Sequence, residues 1–347
     1  MSNRGRDLQV HRFATYAWCV LAYNILVILW GAVVRATGSG AGCGEHWPLC
    51  QGVVIPHAAQ IATGIEFAHR ASSGVAVALV LGLAFLGFRR FDSGHPVRRY
   101  AIATVLFTFT EGLIGAALVL AGLVGKQASM TRALVLSVHL VNTLLLLASL
   151  ALCASSAAAT GIASGSSGFR ESSTYTPHSR AWYIVGLLGV VAIAISGTIA
   201  ALGDTLFHAT SLAQGFSWDM SGSSNALLRL RIIHPVIAVV FGAFLVVVAV
   251  GAVRSDAPAQ ARRMAKYLLV LICVQLALGL LNLLLLTPLW TQILHLLVAD
   301  LIWLSMVLLS AEMLLRAGAP VDSSEGTGIR ELAAHPVTGS APASHSR

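Results

Sequence analysis

The sequence predicts an all-α polytopic membrane protein: eight transmembrane helices arranged as two four-helix bundles related by a parallel internal repeat. Three observations predict it. Of 347 residues, 56% are hydrophobic and only 10% charged, far from the balance of a soluble domain. The chain holds eight apolar runs of about 20 residues, the length that carries a helix across a bilayer. Motifs recur between the first four runs and the last four at nearly constant offset.

The first run, 14–34, follows Arg4, Arg6 and Arg12. A signal peptide shares that basic start, but this run is long for its apolar core, and the fifth run reads as its repeat partner. The second run, 66–88, opens EFAHRASSGVAVALVLGL and carries His69. The third, 100–122, carries Glu111, and the fourth, 132–155, carries His139 in LVLSVHLVNTLLLLASL. Residues 156–181 are rich in Ser, Ala and Gly and read as a cytoplasmic linker. The fifth run is 182–202. The sixth, 227–252, carries His234 in LRIIHPVIAVVFGAFLVV, the seventh is 266–287, and the eighth, 290–315, carries His295 in TQILHLLVADLIWLSMVLL. The domain reading is therefore a cytoplasmic N-terminus (1–13), an N-terminal half (14–155), the linker, a C-terminal half (182–316) and a tail (317–347). The tail is rich in Gly, Pro and Ser and is expected to be disordered and cytoplasmic, its His335 and His345 incidental.

The repeat sets topology. WGAVVRATGSG (30–40) resembles SGTIAALGDT (196–205), Glu66–Arg70 resembles Arg231–Pro235, Glu111–Gly115 resembles Gln275–Gly279, and His139–Asn142 resembles His295–Val298; the offsets are 166, 165, 164 and 156. Four helices per repeat bring both halves in from the same side, which predicts a pseudo-twofold axis along the membrane normal. With the N-terminus cytoplasmic, sixteen Lys and Arg fall on the cytoplasmic side and six on the other, the positive-inside bias. The net charge of +8 thus reports membrane orientation, with attraction to anionic lipid as a secondary effect, rather than nucleic-acid binding.

All four intramembrane histidines lie near the starts of helices that run from outside to inside, so their imidazoles are expected toward the outer leaflet of the cell membrane. A histidine in a bilayer is a functional candidate. Two per half, on neighbouring helices, suit one haem per half held between nitrogen ligands. Each ligand also needs a partner for its free ring nitrogen. A zinc or copper ion is the lesser reading, because no third or fourth ligand stands near either pair. The halves differ: Glu66 precedes His69 by three residues, whereas Arg231 precedes His234 by three. A carboxyl beside one haem can move protons, and an arginine beside the other can pair with haem propionates. Chemistry is therefore expected in the first half and electron transfer in the second. Glu111, with Gln275 as its counterpart, reads as a structural hydrogen-bonding group.

Cys43 and Cys50 lie in the external loop GSGAGCGEHWPLCQG. An oxidising compartment would let them close a disulfide, structural or redox-active, and a metal site from Cys43, His46 and Cys50 stays open as an alternative. Cys19, Cys153 and Cys273 fall in apolar runs, where buried, unreactive thiols are expected. His46, His57 and His208 belong to external loops.

GAVVRATGSGAGCGEHWPLCQG followed by EFAHR resembles the haem A synthase family, and the likeness extends over roughly residues 12–316. The resemblance implies oxidation of a ring methyl of haem O to a formyl by successive hydroxylations, giving haem A for terminal oxidases. It implies that His69 and His139 line the substrate-haem site, that His234 and His295 ligate the iron of a resident haem b, and that Glu66 acts in the chemistry. It also implies a Cys43–Cys50 disulfide, with haem O synthase and a terminal oxidase as partners. Two other classes compete: a two-haem b-type electron-transfer protein, which needs the same histidine pairs, and a transporter built from parallel repeats, which would place its polar groups at the midplane.

Overall fold

Long runs of Leu, Ile, Val and Ala leave the backbone only its own groups to bond in an apolar surrounding, so each run closes into helix. The computed structural model describes residues 3–57, 60–165, 180–221 and 225–316. Within them lie α1 (Asn3–Ala36), α2 (Ile61–Arg90), α3 (Pro96–Leu120), α4 (Met130–Gly165), α5 (Arg180–Leu206), α6 (Leu212–Met220), α7 (Ala226–Arg231), α8 (Ile233–Arg254), α9 (Ala259–Leu284) and α10 (Leu289–Arg316). Eight helical stretches are long and apolar enough to cross a membrane, with α7 and α8 together making one. The expected number of spans is met, but their ends move. The first helix begins at Asn3, and α4 continues to Gly165, through residues expected to be linker. The rest of that linker up to Ser179, and the tail from Ala317, lie outside the described residues.

Local chemistry explains the breaks. Pro96 starts α3, where a missing N–H costs nothing, and the His95 side chain caps it by accepting from the Val97 amide. Pro235 has no N–H and its ring crowds the carbonyl four residues back, at Arg231, so α7 stops there and α8 resumes after Ile232. The third helix of each half ends alike. After α3, Leu123 N–H bonds Leu118 O at 2.8 Å and Gly122 takes the left-handed conformation (φ 65° in that half); after α9, Thr287 N–H bonds Asn282 O at 2.8 Å. The second half puts Leu286 at the left-handed position, φ 60°, where the first has glycine.

The helices pack as two rings. In the first half α1 lies against α2 and α4, and α3 joins α2 to α4; in the second α8 lies against α5 and α9, and α10 against α9 and α5. The rings meet where α4 and α10 touch, flanked by α1 and α5. One apolar core runs through both, from Phe13, Leu147 and Leu150 to Leu245, Met306 and Leu309. Trp303 ties the halves together, its Nε1–H donating to Leu144 O at 2.7 Å. Leu106, Phe109 and Leu113 of α3 and Val236, Val239 and Val240 of α8 are exposed, the apolar outer face a bilayer would cover. This packing corrects one expectation. Of the three free cysteines only Cys153 is buried; Cys19 and Cys273 are exposed because their helix positions point away from the shared core.

Candidate functional site

Connectivity puts the starts of α2, α4, α7 and α10 at one end of the bundle, and all four intramembrane histidines follow those starts. Glycine makes room for three of them. A Cβ on Gly31 of α1 would stand 3.0 Å from His69 Cε1, one on Gly197 of α5 3.0 Å from His234 Cε1, and one on Gly279 of α9 3.3 Å from His295 Cε1. Gly31 makes with His69 the same contact that Gly197 makes with His234.

The second-half pair faces itself. The His234 and His295 ring centres are 6.5 Å apart, with planes at 85°. An iron between two imidazoles sits about 2 Å from each near nitrogen, and each ring centre lies roughly 1 Å further back, so an axial pair spans roughly 6 Å between centres. The spacing of the two rings therefore suits two ligands of one iron. His234 is also oriented for it. The Ser196 hydroxyl donates to Ile193 O at 2.9 Å and has its oxygen 3.0 Å from His234 Nδ1. With that hydroxyl proton spent, Nδ1 carries the imidazole hydrogen and Nε2 keeps a free lone pair. His295 instead has Nε2 at 3.2 Å from Gln275 Nε2, while its Nδ1 and Gln275 Oε1 are buried without hydrogen bonds.

In the first half, His69 Nδ1 is buried without a hydrogen bond. His139 Nδ1 lies 3.5 Å from Glu111 Oε1. Glu111 is itself held, with Thr143 Oγ1 donating to Oε1 and Asn142 Nδ2 to Oε2, both at 2.5 Å, and Thr110 Oγ1 donating to Asn142 Oδ1 at 2.6 Å. Its reading as a hydrogen-bonding group agrees with this geometry.

Glu66 is buried and turned toward the cysteine loop. Its Oε2 accepts the Cys43 amide at 2.8 Å, and its Oε1 accepts Arg70 Nη2 at 2.6 Å and Nε at 3.2 Å. Arg70 Nη1 donates onward to His46 O and Leu49 O, each at 2.7 Å. Cys43 and Cys50 form a disulfide, with Cα atoms 4.5 Å apart. Both sulfurs are thereby engaged, and the described residues contain no cluster of three metal-ligating side chains, so the alternative metal site at His46 falls. The loop is pressed on the start of α2: a Cβ on Gly42 would meet Ala62 C at 2.5 Å, and Thr63 Oγ1 donates to Gly42 O at 2.8 Å. His46, His57 and His208 are exposed.

Arg231 is held by carboxylates. Its Nε donates to Asp219 Oδ1 at 2.5 Å, Nη1 to Asp204 Oδ1 at 3.1 Å and Nη2 to Gly215 O at 3.2 Å. Asp219 and Gly215 stand on α6, a short helix that hydropathy does not reveal. Sequence reasoning also missed Arg35, which crosses between halves: Nη1 donates to Ala201 O and Thr205 Oγ1, each at 2.7 Å, and Nη2 to Gln292 Oε1 at 3.0 Å. It missed the Asn142 and Thr143 pair too, although a helical turn of three to four residues puts both beside His139. Asp300 of α10 is buried with no hydrogen bond to its Oδ2 and was likewise not anticipated.

Comparison with known proteins gives a consistent match. The model of a family described as cytochrome oxidase assembly protein (COX15-CtaA) matches residues 14–307. A Thermus thermophilus protein named protoheme IX farnesyltransferase is 44% identical over 315 residues, 91% of this chain and 50% of that relative. Proteins named heme A synthase from Halalkalibacterium halodurans and Staphylococcus haemolyticus are each 43% identical, over 98 and 103 residues, covering 28% and 29% of this chain and 33% and 34% of their own. The chain thus spans half the length of the Thermus relative and about a third of these synthases.

Proposed function

The chain belongs to the cytochrome oxidase assembly protein family, and on that premise we propose that it is a haem A synthase, oxidising a ring methyl of haem O to the formyl of haem A for terminal oxidases. The carrying observation is the His234–His295 pair, with ring centres 6.5 Å apart, matched in sequence by His69 and His139. The relatives named heme A synthase support the chemistry.

In this reading His234 and His295 would hold haem b, which would supply one-electron transfer when bound. Ser196 fixes the tautomer of His234. His295 engages once Gln275 releases its Nε2. His69 and His139 hold the substrate, haem O. Its reacting carbon is on the porphyrin edge, so gripping both faces of the iron fixes the ring's height and tilt and leaves the methyl free. Glu66 is the proton acceptor. Arg70 and the Cys43 amide both donate to its carboxylate and fix its orientation. Arg231 would reach a haem propionate by exchanging one of its two carboxylate partners.

The two halves, 14–155 and 182–316, are proposed as pseudo-twofold repeats, supported by the matching Gly31–His69 and Gly197–His234 contacts. The distribution of Lys and Arg supports a cell-membrane orientation with both termini cytoplasmic and the histidine end outward. A protohaem farnesyltransferase would supply the substrate and a terminal oxidase receive the product.

Expression in a host that supplies haem O, followed by chromatography of the extracted porphyrins, tests the reading. Wild type should yield haem A, and His69→Ala and Glu66→Gln should not. Undiminished haem A from Glu66→Gln would remove Glu66 from the chemistry. A pigment of haem b alone would favour the two-haem electron-transfer protein, which the histidine pairs serve equally well.

A further inference from the structure

The third helix of each half sends one side chain to the histidine of the fourth, and the two halves differ in which. In the first, Glu111 of α3 has Oε1 3.5 Å from His139 Nδ1. In the second, Gln275 of α9 has Nε2 3.2 Å from His295 Nε2. The neighbours differ as a set. Asn142 and Thr143 each donate to a separate oxygen of Glu111, and the positions matching them in the second half are Val298 and Ala299, which have nothing to donate. Asn142 donates to one oxygen and Thr143 shares its hydroxyl hydrogen between the other and His139 O at 2.9 Å, an arrangement that suits a carboxylate; a neutral amide would set its own N–H against one of these donors. A carboxylate accepts at both oxygens and an amide at one, so the trio Glu111, Asn142 and Thr143 is one device absent from the other half. His139 Nδ1 is buried with no hydrogen bond of its own, and it faces this carboxylate.

We propose that Glu111 is a positioning residue for the first-half haem: it takes the Nδ1 hydrogen of His139, presents Nε2 to the iron, and through its negative charge makes His139 the stronger electron donor of the two fourth-helix ligands. A carboxylate on a ligand's second nitrogen raises the ligand's basicity, whereas an amide does so little. A haem held in the first half would then have the lower midpoint potential of the two. The proposal rests on the reading that each half holds a haem between its two histidines.

The test is a potentiometric titration of the full chain in detergent, loaded with protohaem, followed by visible and electron paramagnetic resonance spectra. His69→Ala assigns the first-half signal, and its failure to remove any haem signal would overturn the two-haem reading itself. Given that assignment, Glu111→Gln should raise the first-half midpoint and alter its low-spin resonance while the second-half haem, an internal check on folding, stays unchanged. Thr143→Val, which frees the carboxylate without altering it, should move the first-half haem the same way by less. Gln275→Glu should lower the second-half midpoint. A first-half haem whose potential and resonance are identical in wild type, Glu111→Gln and Thr143→Val would overturn the role of Glu111.

Discussion

Replacing Arg70 with alanine is the sharpest perturbation of the fold around the candidate site. Arg70 donates four hydrogen bonds, two to Glu66 and one each to His46 O and Leu49 O. Its loss leaves Glu66 Oε1 without these donors and the carboxylate held by the Cys43 amide through Oε2. The side chains of the pair are 12% and 4% exposed, so this is a buried pair and not a surface one. Removing one member of a buried pair costs about 3–5 kcal/mol, against about 0–1 kcal/mol for a surface pair. The carbonyls of His46 and Leu49 are solvent-accessible and add little, because water replaces the guanidinium there. Arg70→Ala should therefore destabilise the protein by about 3–5 kcal/mol in a denaturant titration in mild detergent, with the amides of residues 43–53 exchanging faster. Adding Glu66→Gln removes the stranded charge, so the double variant should recover part of the loss, a coupling that a double-mutant cycle measures directly. A loss below about 1 kcal/mol for Arg70→Ala, with no coupling to Glu66, would refute the argument that this clamp is buried and charge-paired.

Three further outcomes follow from the geometry. Gly31→Ala and Gly197→Ala each set a Cβ 3.0 Å from a histidine ring and should displace it, so each should lower haem retention in its own half only, read from the pigment-to-protein ratio. Leu286→Gly removes a left-handed leucine from the end of α9 and should stabilise the protein by about 1 kcal/mol, whereas Gly122→Leu at the equivalent turn should destabilise it by a similar amount. Burial holds the His95 imidazole below its usual value, against the opposing charge of Asp92, and its neutral ring caps α3. That contribution is complete above the unfolded value of about 6.5 and is lost as pH falls through the depressed folded value, so wild type should lose more thermal stability between pH 7.5 and 5 than His95→Asn, which keeps an acceptor that does not titrate.

Much of the architecture is legible in one dimension because a bilayer imposes a local rule: about 20 apolar residues in succession must be helix, and any imidazole among them stands out. The eight spans, the two histidine pairs and the cysteine loop follow from that rule and from motif spacing. Legibility fails where the partner lies far along the chain. Arg231 reads as a partner for haem propionates until Asp204 and Asp219 arrive beside it, from 27 and 12 residues away. Glu66 reads as a face-mate of His69 until the loop folds over α2 and occupies both its oxygens.

By itself, the sequence determined that this is an all-α chain with eight membrane-length helices, four of them carrying a histidine within their apolar runs, because hydropathy and helical period act within a few turns of the chain. The tertiary structure alone decided what each polar side chain does. It turned His234 and His295 toward each other, set Glu111 against His139 and Gln275 against His295, and drew Arg35 across the boundary between the halves. Hydrogen bonds and ion pairs depend on angstrom separations between residues tens to hundreds of positions apart, and those separations exist only once the helices have packed.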